Sequence, residues 1–84
     1  MATNWLIDKA VTLADSPEWT AKRAAWVLRA TSGATVRDAE AALDEIDLDA
    51  TSGKPDRVMV RAADTLALLV IDLRRATPRI VLPV

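Results

Sequence analysis

The chain has 84 residues, 51% of them apolar, with 11 basic and 12 acidic side chains and neither cysteine nor histidine. That length makes one domain with a small core, and the lack of cysteine excludes disulfides and thiolate metal sites. The net charge of −1 gives no general attraction to nucleic acid or to an anionic membrane.

Alanine supplies much of the apolar content. It favours helices but buries little area per residue, and small cores of this kind often gain stability by oligomerising. The longest apolar run, Leu66 to Ile71, is far shorter than the roughly 20 residues of a membrane span. MATNW lacks the basic start and apolar run of a signal peptide, so a cytoplasmic protein is expected. Arginine in excess of lysine, abundant alanine and the absence of Phe and Tyr suit a GC-rich genome, and a bacterial or bacteriophage source is expected.

In chain order, a first helix is predicted over 4–14, capped by Thr3 or Asn4. Leu6, Ala10, Leu13 and Ala14 form one stripe, with Ile7 and Val11 beside it and Trp5 at the entrance. Ser16-Pro17-Glu18 reads as a helix start, with Ser16 as cap and Pro17 in the first position. This predicts a second helix over 17–30 that ends at Thr31-Ser32-Gly33. Thr35 with Asp38 forms a shortened capping box for a third helix over 36–48, whose buried side is Val36, Ala39, Leu43 and Ile46. Ala50-Thr51-Ser52-Gly53 repeats Ala30-Thr31-Ser32-Gly33 and is taken as repeated helix-stop punctuation, because the flanking residues do not align as a repeat.

The fourth helix, over 55–76, is the one the others must be arranged around. Pro55 suits its first position, Asp56 complements the positive end of the macrodipole, and Arg74 and Arg75 complement the negative end. Met59, Ala62, Ala63, Leu66, Val70 and Leu73 form the principal stripe. Val58, Leu69 and Ile71 widen it until the helix is apolar on every side near its centre. Arg57, Arg61 and Asp64 mark the expected solvent side. Residues 78–84, β-branched between two prolines, are expected to form an extended tail docked on the helices. The expected fold is all-α: one domain, 1–84, forming a compact four-helix bundle with a short extended C-terminal tail.

The residues able to carry chemistry are few. Without His, Cys or Tyr the commonest acid–base group and the best nucleophile are missing, and most carboxylates and hydroxyls have a capping or turn role. Asp47-Leu48-Asp49-Ala50-Thr51 resembles the short D-x-D-x-T pattern of haloacid-dehalogenase phosphatases, but that pattern needs a preceding strand and a much larger domain. It also fails as a calcium loop, with Ser52 where glycine is required and Val58 where the bidentate Glu belongs. No enzyme activity, metal or cofactor is expected.

The second and third helices about Gly33 outline a helix-turn-helix. However, the would-be recognition helix carries Asp38, Glu40, Asp44 and Glu45 against Arg37, a sign that phosphate repels. Asp44, Glu45, Asp47 and Asp49 crowd the C-terminal end of that helix, the unfavourable end for negative charge. Trp19 and Trp26, seven residues apart with Lys22 and Arg23 between, fall on one face of the second helix and read either as bulk for an alanine-rich core or as a partly exposed anchor patch for a partner. Ala21, Ala24, Ala25 and Leu28 make a competing face of small residues for close packing.

From these features the expected function is a small, self-associating protein–protein interaction module. Trp19, Arg23 and Trp26 are the candidate partner-binding residues, because aromatic and arginine side chains dominate binding hot spots. Leu66, Leu69, Val70 and Leu73 are the candidate self-association residues, expected in a homodimer. The alternatives are a nucleic-acid-associated regulator with an arginine-rich surface, and a structural subunit of a larger particle. No motif specifies a family.

Overall fold

The computed structural model describes residues 4–51, 53 and 56–76, with the side chains of 49–51 excepted. Within them the chain forms four helices: α1 (Asn4–Ala14), α2 (Ala21–Thr31), α3 (Val36–Thr51) and α4 (Arg57–Ala76). The fold is an all-α globule. The expected tail over 78–84 lies outside the described residues, as do Thr3, Ser52 and Pro55.

Helix α4 packs against each of the other three, and α1 also touches α2 and α3, whereas α2 and α3 make no contact among the described residues. The pair α1–α4 is therefore the middle of the molecule, with α2 on one flank and α3 on the other. The core is Leu6, Leu28, Ile46, Leu66 and Leu69, all fully buried, set among Ala10, Ala14, Ala25, Ala39, Ala42 and Ala62. Each large side chain gains roughly 1.5–3 kcal/mol from burial. The alanines contribute less area but let the helix axes approach closely at the contacts. Of the two faces competing on α2, the small one turned inward: Ala24, Ala25 and Leu28 are buried, and Trp26 is not.

Two helix ends follow the expected capping chemistry. Ser32 Oγ and N–H both donate to Leu28 O, at 2.5 and 2.9 Å, and Gly33 follows with φ +68°. A left-handed residue at this point reverses the chain at the end of α2. The Thr35–Asp38 box is formed in both directions: Asp38 N–H donates to Thr35 Oγ1 at 3.1 Å and Thr35 N–H to Asp38 Oδ2 at 3.0 Å. Both Ala-Thr-Ser-Gly copies coincide with a helix end, α2 ending at Thr31 and α3 at Thr51.

Two starts differ from the expectation. Helix α2 begins at Ala21 rather than at Pro17. Ser16-Pro17-Glu18 closes a single turn instead, with Ser16 Oγ accepting from Glu18 N–H at 3.3 Å and Ser16 O from Trp19 N–H at 3.2 Å. The chain then straightens at Thr20 (φ −133°, ψ 145°), whose hydroxyl accepts from Arg23 N–H and caps the helix in place of Ser16. Helix α4 begins at Arg57, and Asp56 is its cap rather than a residue inside the first turn: Asp56 Oδ1 accepts from Val58 N–H at 3.3 Å. Helix α3 runs three residues past the expected Leu48.

Candidate protein-binding surface

Trp19 sits just before the cap of α2, so it is not on the helical face it was expected to share with Trp26. Its indole Nε1 donates to Thr65 Oγ1 at 2.9 Å, and the Thr65 hydroxyl donates in turn to Arg61 O at 2.8 Å. Thr65 is fully buried in α4, so this bond ties the α1–α2 loop to the central helix. Arg61, expected on the solvent side, lies over the indole with its guanidinium carbon 5.1 Å from the ring centroid. A guanidinium at that distance is held by the negative face of the ring. Its Nη1 also donates to Ala14 O at 3.4 Å, at the open end of α1. The arginine stacked on Trp19 is thus Arg61. Sequence reasoning missed Thr65 altogether. Its signal was a lone hydroxyl inside an apolar stripe, a position that burial permits only with a hydrogen-bond partner.

Trp26 is 63% exposed, on the outer side of α2 away from both α1 and α4. Lys22, Arg23 and Arg29 are exposed around it, so the outer face of α2 is a large aromatic ring set among three cations. Arg23 also borders a groove of about 230 Å³ with Leu13, Trp19, Ala24 and Val27, where α1 and α2 diverge. Arg23 therefore reaches both tryptophan neighbourhoods, while the two rings themselves face different ways, Trp19 toward α4 and Trp26 toward solvent.

The candidate self-association set divides as well. Leu66 and Leu69 are fully buried within their own chain, and Val70 and Leu73 are half-buried against the same core. Packing by α1, α2 and α3 accounts for Leu66 and Leu69, which are therefore not available to a second copy as expected. The side of α4 left open carries Val60 and Ile71, 47% and 44% exposed.

The acidic end of α3 is on the surface, with Asp44 and Asp47 exposed beside Leu48, which is 70% exposed. Near the other end of that helix, Glu40 pairs with Arg74 of α4. Asp47 to Thr51, the stretch with the phosphatase-like spacing, lies within the last turns of α3 and not at the end of a strand. The helix-turn-helix outline is not built either, since α2 and α3 pack on α4 and α1 and not on each other. Among the described residues no group of acidic side chains is arranged to hold a metal ion, and no helix is long and apolar enough to cross a membrane. Compared with protein-family models, with curated proteins and with solved structures, the chain matches none.

Proposed function

We propose that this chain is a small, non-enzymatic module that binds another protein, associates with itself and works in the cytoplasm. The observation that carries this is the exposure of Trp26. A tryptophan 63% open to water on a helix whose small-residue face is already buried leaves a large apolar ring uncovered. Ringed by Lys22, Arg23 and Arg29, it has the composition of a binding hot spot, an aromatic anchor with arginine beside it. Trp19, by contrast, serves the fold through Thr65, and Arg23 belongs to the surface through its position beside Trp26 and the groove.

The test is capture by immobilised protein from an extract of the cells that make it, with wild type and Trp26→Ala compared side by side. Because Trp26 is on the surface, the variant is expected to keep its helical circular-dichroism signal and to lose the captured protein. Equal capture by both, with helicity intact, overturns the proposed role of Trp26. Loss of helicity in the variant would show the ring to be structural and overturn it equally.

A further inference from the structure

The outer faces of α2 and α3 are complementary, and the fold keeps them apart. On α2 the exposed residues include Lys22, Arg23, Trp26 and Arg29, followed by Ala30 and Thr31 at its end; on α3 they include Asp44, Asp47 and Leu48 toward its end, with Arg37 and Ala41 nearer its start. One face is an aromatic ring among cations, and the other an apolar side chain among carboxylates. With α1 and α4 between them, α2 and α3 do not touch, so the two faces cannot meet within one chain.

Each face is also badly matched to its own helix. Lys22 and Arg23 occupy the second and third positions of α2, at the positive end of its dipole, with no acidic residue in that turn. Asp47 lies just ahead of the last turn of α3, at the negative end of its dipole, and no basic residue occupies that turn. Two misfits of opposite sign on opposite flanks would both be relieved by a single intermolecular contact.

We propose that the outer face of α2 in one copy docks on the outer face of α3 in the next, with Trp26 against Leu48 and Lys22, Arg23 and Arg29 against Asp44 and Asp47. This rests on the protein-binding role of Trp26 and names its partner as a second copy of the chain. Because the two faces are different patches on opposite flanks, the contact is head-to-tail. Such a contact closes into a ring or continues as an open chain of copies.

The experiment uses two charge-reversed variants of the full chain, K22E/R23E and D44K/D47K, with mass followed by light scattering. All four residues are exposed; K22E and R23E correct the sign at the start of α2 and D47K the sign toward the end of α3, while D44K changes an exposed position in the middle of that helix. Both variants are therefore expected to melt no lower than dilute wild type. Wild type is expected to exceed dimer mass at high micromolar concentration in low salt, and to fall back toward monomer in 1 M salt, where the Debye length is about 3 Å. Each variant alone is expected to self-associate at least about tenfold more weakly than wild type. Mixed, they keep one native pair of faces, α2 of D44K/D47K with α3 of K22E/R23E, and present the other pair with both signs reversed, so they should form a complex containing the two in a 1:1 ratio.

Wild type that remains monomeric in low salt overturns the pairing. If Trp26→Ala still abolishes capture of a host protein in that case, the protein-binding role stands and only the identity of the partner fails. Assembly that survives both reversals but is lost in Ile71→Asp would place the contact on the open side of α4 and overturn the proposal. Reversals that are each monomeric but form no complex on mixing overturn it as well.

Discussion

The indole N–H of Trp19 and the hydroxyl of Thr65 meet at 2.9 Å across 46 residues of sequence. That bond joins a tight loop to the helix at the centre of the core. Thr65→Val keeps the side-chain volume but removes the acceptor, leaving the indole N–H without its partner. The expected cost is about 1–3 kcal/mol in urea denaturation. In a double-mutant cycle with Trp19→Phe, the two losses should fall short of additivity by about 1 kcal/mol. Strict additivity would mean that the bond contributes nothing.

Arg61 lies over the same ring and bonds Ala14 O besides. Arg61→Met keeps the aliphatic stem while removing the charge, and should lower stability by about 0.5–2 kcal/mol. Tryptophan fluorescence should shift with it, because the environment of Trp19 changes. A variant with the wild-type denaturation midpoint and spectrum would show that the stacked guanidinium is only resting on the ring.

Leu66 and Leu69 are fully buried in the chain's own core. Leu66→Ala or Leu69→Ala should therefore cost about 2–5 kcal/mol, a large part of the total stability of a domain this small. Leu69→Asp should abolish the helical circular-dichroism signal, because it places a charge in the core with nothing to pair it. A folded Leu69→Asp protein of wild-type melting temperature would contradict the burial.

Gly33 holds φ +68° at the end of α2, and the space where a side chain would project is open. Gly33→Ala should thus cost only the backbone strain, about 1 kcal/mol, lowering the melting temperature by about 4–8 °C. Gly33→Asn should cost less, since asparagine tolerates the left-handed region better. Equal melting temperatures for Ala and Gly would show that the turn had relaxed to another conformation.

The parts of this fold that could be read from sequence are those specified by neighbours along the chain. Gly33 and the Thr35–Asp38 box are local devices, and they formed as their spacing implied. Helical periodicity made Leu6, Ala10 and Ala14 of α1 and Ala62 and Leu66 of α4 legible as buried, but the buried side of α4 turns toward Thr65 and Leu69 and leaves Met59, Ala63, Val70 and Leu73 of the expected stripe half-buried. The start of α2 was not legible. Ser16-Pro17-Glu18 carries every local mark of a helix N-terminus, yet Trp19 is drawn to Thr65, a residue 46 positions away, and the helix restarts after Thr20. The same long-range bond separates Trp19 from Trp26, whose seven-residue spacing is meaningful only if both lie on one uninterrupted helix. For α4, composition could say that its centre was apolar all round, but not that three helices of its own chain would cover Leu66 and Leu69 and leave Val60 and Ile71 in the open.

The helix that touches all the others is the last of the four in chain order, and this has a consequence for biogenesis. Trp19 leaves the ribosome 46 residues ahead of the hydroxyl it will bind. At roughly 5–20 residues per second, that is a wait of about 2–9 s. During that interval α2 and α3 follow α1 out while the surface that organises them is still being made. At 11 residues each, α1 and α2 are marginal helices in water without tertiary support, and α3, at 16, is only just beyond that range. The nascent chain therefore stays uncommitted, its apolar stripes open to chaperones, until α4 emerges and all four helices condense in one step.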